Sequence, residues 1–291
     1  MNVFIPTTLQ QQIRERGAEG TQWLTSLPER IAALEREWGF RTGPALDHGG
    51  CVSWVAPVEL EAGSDAILKI GLPDDEGRFE AEALRFLDGQ GAVRLLHASE
   101  DGFSMLLERC IPGTDLWSLG DDEADAVAAG LLPRLWREPD PTAPFIALTD
   151  VVAQWCEMMP GMAAEGYAPD LIAHAIARGQ ELAASQPQHV LLHSDFHPGN
   201  VLAAQREPWL MIDPKPAMGD PAYDLAQWLA NRYDAVIQAA DPVLAYRYQI
   251  DRFAERLGLD PARIAGWAFV KALGWEWGQE VADLFHRVAQ R

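Results

Sequence analysis

Near the start of the chain, apolar residues recur at three- and four-residue steps. Trp23, Leu24, Leu27, Ile31 and Leu34 fall on one helical face. The spacing predicts helix over residues 7–38. Pro28, whose fixed φ suits a first helical turn, is expected to open a second helix there. Residues 43–50 are rich in turn formers. Two strand-like apolar runs follow, 51–60 and 66–70, separated by Glu61-Ala62-Gly63-Ser64. A helix is predicted over 74–87 and strands over 92–97 and 103–108. After Ile111-Pro112-Gly113 the pattern turns helical, over 121–136, 149–164, 170–185, 220–240 and 261–290. Short apolar strands interrupt it at 190–192, 201–202 and 209–212. The expected architecture is α+β and bilobal: N-terminal helices plus a β-rich lobe over 1–107, a linker at 108–113, and a helical lobe over 114–291. Ligands often occupy the lobe boundary in such a layout.

Charge narrows the partners. With 43 acidic against 23 basic residues, the formal net charge is −20. A nucleic-acid partner would need a basic footprint, so none is expected. Cationic small molecules would be attracted. The eleven tryptophans serve either the core or a pocket for flat or cationic groups. The three cysteines, Cys51, Cys110 and Cys156, form no CxxC motif, which points to reduced thiols in a cytoplasm. The first twelve residues do not read as a signal peptide. No apolar run reaches the ~18–20 residues that span a bilayer, so no membrane partner is expected. Oligomeric state is left open.

The chemistry concentrates in His193-Ser194-Asp195-Phe196-His197-Pro198-Gly199-Asn200-Val201-Leu202, followed by Trp209-Leu210-Met211-Ile212-Asp213-Pro214. Phosphoryl transfer needs a base near the attacking hydroxyl and cations on the phosphate oxygens. Asp195 suits the base. Asn200 lies five residues on, across a Pro-Gly turn, and Asp213 ends the next apolar strand, so a hairpin would bring the two together. Their oxygens suit Mg²⁺. The Asp195–Asn200 spacing matches the catalytic loop of protein kinases, with Asp213 in the role of the metal-binding Asp. A polar turn between two core strands would also use Asp and Asn. A zinc hydrolase is a rival reading, because His193, Asp195 and His197 alternate. Yet the other histidines form no second cluster, and Pro198-Gly199 breaks the strand.

Lys69 stands in the apolar run Ala66-Ile67-Leu68-Lys69-Ile70, where a charge is costly unless paired. A kinase lysine there contacts nucleotide phosphates and is held by a helix glutamate. Glu76, Glu80 and Glu82 are available; Glu80 is the first choice and Glu82 the second. Gly49, Gly50 and Ser53 could fold over the phosphates with backbone N–H groups and a hydroxyl, although the segment lacks a GxGxxG pattern. In the linker, the Glu108 carbonyl and the Cys110 N–H could pair with an adenine edge.

Taken in order, Lys69, Glu80, 108–113, 193–200 and Asp213 resemble the aminoglycoside phosphotransferase family. The stretch Arg206-Glu207-Pro208-Trp209-Leu210-Met211-Ile212-Asp213-Pro214-Lys215-Pro216 is similar to its streptomycin 6-kinase and hydroxyurea phosphotransferase subgroup. So is Gly219-Asp220-Pro221-Ala222-Tyr223-Asp224-Leu225. The resemblance runs from about residue 4 to the C-terminus. It implies a protein-kinase-like fold, ATP and Mg²⁺, and O-phosphorylation of an antibiotic. It also implies Asp195 as the catalytic Asp, Asn200 and Asp213 as metal ligands, and Asp220, with His193, as support of the catalytic loop. Ser194 and Phe196 depart from the Gly and Leu common in the family. Pro214 replaces the Phe-Gly of protein kinases and implies a stiffer metal loop.

For the acceptor, streptomycin's guanidino groups call for carboxylates and aromatic faces. Trp275, Glu276 and Glu157 are the candidates, against the plainer reading that the tryptophans are core and Glu276 is solvated. Hydroxyurea or another small metabolite would not need acidic walls. A nucleotide-binding protein without catalysis would be expected to lack one of Lys69, Asp195, Asn200 and Asp213, and all four are present.

Overall fold

The structure, a computed structural model, describes residues 3–47, 52–61, 63–75 and 77–290. The chain divides into two compact units, Met1–Gly113 with Ala203–Leu210, and Thr114–Leu202 with Met211–Arg291. The segment 203–210, expected with the helical lobe, therefore groups with the first unit.

The first unit opens with helices α1 (Thr7–Glu15) and α2 (Gly17–Trp38). The break between them falls at Arg16 and Gly17, where Gly17 takes φ +72°, and not at Pro28. Pro28 sits inside α2, which keeps its helical course because Trp23, Leu24, Leu27, Ile31 and Leu34 bury one face. That burial offsets the ~3 kcal/mol an interior proline costs. Strands β1 (Phe40–Thr42), β2 (Ser53–Leu60), β3 (Asp65–Gly71), β4 (Leu95–Ala98) and β5 (Ser104–Glu108) form an antiparallel sheet in the order β1-β2-β3-β5-β4. Alternation along a strand decides which side chains meet the helices. Trp54, Ala56 and Val58 of β2 and Ala66, Leu68 and Ile70 of β3 join the core with α1 and α2. Lys69 falls on the opposite face. Helix α3 (Glu80–Leu87) is shorter than predicted, because residues 77–79 form a turn in which Asp74 Oδ1 accepts from Gly77 N–H.

The second unit holds α4 (Asp121–Leu135), β6 (Ile146–Ala147), α5 (Leu148–Met158), α6 (Pro169–Ala184), β7 (Val190–Leu192) and β10 (Ala217–Gly219), while β8 (Val201–Ala203) and β9 (Trp209–Met211) are each divided between the two units. Then follow α7 (Asp224–Ala230), α8 (Tyr233–Val236), α9 (Pro242–Leu257), α10 (Pro261–Gly274) and α11 (Gln279–Ala289). Strands β6, β10 and β7 form one small sheet, and β8 and β9 a hairpin whose turn lies in 203–210. Helix α10 is buried on all sides against α6, α7, α9 and α11, as its continuous apolar run Ile264–Leu273 demands. Its one buried charge is Lys271. Helix α9 lies outside every predicted helix. Asp241 caps it by accepting from Leu244 N–H, Pro242 takes its first position, and Tyr246, Ile250 and Phe253 are its buried stripe. The predicted helix 261–290 breaks after Gly274, where Glu276 and Gly278 have positive φ.

Candidate active site

Strand β7 ends at Leu192, and the next two peptides are held from outside the strand. Asp224, the first residue of α7, accepts from His193 N–H at 3.1 Å and from Ser194 N–H at 2.7 Å. Trp136 Nε1 donates to the same carboxylate at 2.9 Å. Ser194 takes φ +61°, and its carbonyl accepts from Lys271 Nζ. Phe196 is fully buried, its ring edge-on to His193 and stacked on Trp228 at 5.3 Å. Between these anchors stands Asp195, its carboxylate 17% exposed.

The chain then turns through Pro198–Asn200. His197 Nδ1 accepts from Gly199 N–H, and Asn200 Nδ2 donates to the Asp195 carbonyl at 2.9 Å. With its amide nitrogen so engaged, Asn200 offers Oδ1 as donor atom. Ile212 N–H donates to the Asn200 carbonyl at 2.9 Å, which registers the second strand of the hairpin and seats Asp213 beside Asn200. The His193 ring fastens the same strand through Nε2 to the Ile212 carbonyl at 3.0 Å. Lys215 N–H returns to the His193 carbonyl, and Lys215 Nζ lies 3.5 Å from Asp213 Oδ1. Asp213 has φ +56° ahead of Pro214. Hydrogen bonds thus link His193, Asp195 and Asn200 with Ile212, the residue directly before Asp213. Asn200 Oδ1 and the Asp213 carboxylate are hard oxygen donors and fit a cation such as Mg²⁺.

Burial sets the protonation states. It pushes His193 down to about 3, so the ring is neutral and donates from Nε2. His197 is also lowered by burial, against the opposing pull of Asp195. Burial raises Asp195, with His197, Lys271 and Lys215 lowering it and Asp213 adding to the rise. Among the described residues His193, Asp195 and His197 form no cluster that could hold a metal ion, and His197 Nδ1 is taken by the Gly199 N–H, which leaves the ring proton on its other nitrogen.

In the first unit, Lys69 Nζ donates to both oxygens of Glu80 at 2.7 Å, and both residues are buried. Glu82, the second choice, pairs with Arg85 on the exposed side. Glu76, Gly49, Gly50 and Cys51 lie outside the described residues. Ser53 is buried at the start of β2, opposite Gly71. Glu108 uses its carboxylate structurally: it accepts from Arg206 Nε and Nη2 at 2.8 and 2.9 Å and from Arg94 N–H. Arg206 also donates to the Gly89 and Ala92 carbonyls, so one side chain ties the 203–210 turn to the end of β5. Cys110 is a buried free thiol, pushed up to about 12 chiefly by burial.

Two expectations need correction. Asp220 is buried but does not touch the catalytic loop. It accepts from Arg263 Nε at 2.7 Å, Trp267 Nε1 at 2.8 Å and Ala222 N–H, tying the turn before α7 to α10. The acid that holds the loop is Asp224, one helical turn later in the same motif. Trp275 does not present a bare face either, since Lys271 Nζ sits 4.4 Å from its ring centroid. Glu276 and Glu157 are solvent-exposed. Asp224 and Lys271 escaped sequence reasoning. Asp224 stood within a quoted motif, whereas Lys271 carried no signal beyond a charge in an apolar run.

An antiparallel sheet with a buried Lys–Glu pair, and a loop joining Asp195, Asn200 and Asp213, define an α+β protein-kinase-like small-molecule phosphotransferase. The choline kinase LicA of Streptococcus pneumoniae shares this fold, with a TM-score of 0.63 at 13% identity over 91% of this chain and 98% of that one. Residues 41–280 match the model of the aminoglycoside/hydroxyurea antibiotic resistance kinases, and the chain belongs to that family. It is 38% identical to a streptomycin 6-kinase of Streptomyces glaucescens, over 89% of this chain and 85% of that protein. It is also 38% identical to a hydroxyurea phosphotransferase of Kitasatospora aureofaciens, over 91% of this chain and 77% of that one. Among the described residues no helix is long and apolar enough to cross a membrane.

Proposed function

We propose that the protein transfers the γ-phosphate of ATP to a hydroxyl of a streptomycin-type aminoglycoside, inactivating the antibiotic in the cytoplasm. The observation that supports the chemistry is the Ile212-to-Asn200 hydrogen bond, which ties the strand that ends at Asp213 to the loop that carries Asp195 and Asn200. The 38% identity to a streptomycin 6-kinase over most of both chains supports the acceptor class.

In this reading the acceptor hydroxyl attacks the γ-phosphorus as its proton passes to the Asp195 carboxylate. The bond from phosphorus to the β,γ-bridging oxygen breaks, and ADP leaves. Burial raises Asp195 and makes it a stronger base than a solvated carboxylate, and the nearby Lys271 and Lys215 oppose that rise. Lys69, oriented by Glu80, neutralises nucleotide phosphate oxygens. Asn200 and Asp213 would hold Mg²⁺, which supplies further positive charge for those oxygens. The backbone of Glu108 and Cys110 is assigned to the adenine edge, Gly49, Gly50 and Ser53 to the phosphates, and Glu276 and Glu157 to a cationic acceptor.

A second reading keeps the chemistry and changes the acceptor to hydroxyurea, favoured by the equal identity to a hydroxyurea phosphotransferase. Mg²⁺-dependent ADP release is the test, measured with streptomycin, with hydroxyurea and with neither, alongside Asp195→Asn. Streptomycin-stimulated release that the variant lacks is expected. Stimulation by hydroxyurea alone would reassign the acceptor, and full turnover by Asp195→Asn would remove Asp195 from its role.

A further inference from the structure

Lys271 is the one fully buried lysine among the described residues, and it lies in the last turn of α10 beside the buried Val270, Ala272 and Leu273. A buried ammonium is costly unless its surroundings replace its hydration. Here they do so in a defined way. Nζ sits 4.5 Å from the Tyr223 ring centroid and 4.4 Å from that of Trp275, a separation at which aromatic faces attract a cation. From that box Nζ donates to the Ser194 carbonyl. The box is built for the purpose: Tyr223 is itself wedged between Trp267 and Trp155, and a Cβ on Gly274 would overlap the Trp155 indole.

The target of the bond matters more than the box. The Ser194 carbonyl belongs to the peptide that leads into Asp195. The preceding peptide is held by Asp224 through the Ser194 N–H. Ser194 lies in the left-handed region, which a non-glycine residue occupies only when its surroundings impose it. Rotation of the Ser194–Asp195 peptide would swing the Asp195 carboxylate.

We propose that Lys271 is a positioning residue of the phosphotransfer reaction: its ammonium, lodged between Tyr223 and Trp275, grips the Ser194 carbonyl and so fixes the direction of Asp195. The aromatic pair is filled by the chain's own cation, so it does not serve as the recognition cage for a cationic acceptor. The proposal rests on the kinase reading for its consequence in turnover, but not for its effect on the loop.

The test uses the full chain with Lys271→Ala and Lys271→Met. Methionine has nearly the same length without the charge and is the variant that keeps the core filled. Both are expected to lower kcat between about 10- and 100-fold, the range a lost hydrogen bond from a charged donor implies. KM for ATP should stay within about threefold, because the nucleotide residues are untouched. The alanine variant leaves room for n-propylammonium, which should restore most of the lost kcat. The methionine variant should not respond. Hydrogen exchange of a peptide spanning residues 190–202 should rise in both variants and fall again with propylammonium in the alanine variant. Folded Lys271→Met with wild-type kcat overturns the proposal. So does a loss of kcat with unchanged exchange across 190–202, or one that propylammonium does not relieve in folded Lys271→Ala. Absence of any ATP turnover in the wild-type chain, streptomycin and water both tried as acceptors, would instead overturn the kinase reading. The exchange measurement would still decide what Lys271 does to the loop.

Discussion

Asp224 accepts the Ser194 N–H at 2.7 Å from thirty positions away in sequence, and with it the N–H groups of His193 and of the Trp136 indole. A buried carboxylate without these donors would be strongly disfavoured; with them it is the anchor of the catalytic loop. Burial raises its pKa and the three donors oppose the rise.

Asp224→Ala should therefore be more damaging than Asp195→Ala to stability. It leaves the buried N–H groups of His193 and Ser194 and the half-buried Trp136 indole N–H without their acceptor, and each buried loss costs about 1–3 kcal/mol. Guanidinium unfolding should show a loss of at least about 3 kcal/mol. An unfolding midpoint close to wild type would show that water replaces the carboxylate.

Ser194→Gly should stabilise the protein. The left-handed backbone costs a non-glycine residue about 1–2 kcal/mol, and the buried Ser194 hydroxyl has no hydrogen-bond partner. Against this stands the extra entropy of glycine in the unfolded chain, about 0.5–1 kcal/mol. A net gain of about 1 kcal/mol, seen as a higher Tm, is expected. A lower Tm would mean that the serine side chain packs better than its hydrogen bonding indicates.

The Lys69–Glu80 pair predicts an asymmetry between binding and stability. Glu80→Ala removes the carboxylate that both Lys69 hydrogen bonds reach and should destabilise by about 3–5 kcal/mol. Lys69→Met/Glu80→Leu removes both charges, so it should recover most of that stability and still bind ATP weakly. Thermal melting with and without Mg²⁺-ATP separates the two effects. Equal nucleotide-dependent shifts in the double variant and the wild type would exclude Lys69 from the phosphates.

His193 makes stability depend on pH. In the folded chain it protonates at about 3, whereas an unfolded histidine protonates near 6.5. Between those values the unfolded chain binds more protons, so the contribution of neutral His193 is complete above about 6.5 and is lost as pH falls toward about 3. From pH 7 to pH 5 the loss from this group is about 2 kcal/mol. His193→Asn should be less stable at neutral pH but should lose less on acidification. Parallel stability curves for the two proteins would show that the ring is not held neutral.

Which elements were legible depended on how local their cause was. The strand pair 51–60 and 66–70 emerged as β2 and β3 within two residues at each end, because an apolar run rich in Trp, Val, Ile and Leu between turn-forming residues is written in adjacent positions. Pro28 misled because its local preference for a first turn lost to the burial of the α2 face around it. Helix α9 was missed although Asp241-Pro242 is a start signal, since its stripe of Tyr246, Ile250 and Phe253 is sparse among charged neighbours. Strands β6 and β10 are two and three residues long and exist only through pairing with β7 and one another.

By itself the sequence determined the chemistry-bearing types and their order: a lysine in an apolar strand, an Asp and an Asn five residues apart, and an Asp closing the next strand. Those are short-range facts, and the turn and the hairpin that join them follow from local backbone preferences. Only the tertiary structure decided which groups hold that machinery in place. Asp220 and Asp224 are equivalent acids in one motif, and the course of the chain between β10 and α7 turns one toward Arg263 and Trp267 and the other onto Ser194. Lys271 reads as an ordinary helix lysine until α10 is buried and its ammonium meets Tyr223, Trp275 and the Ser194 carbonyl. Hydrogen bonds and cation–π contacts between residues tens of positions apart depend on distances that no local pattern encodes.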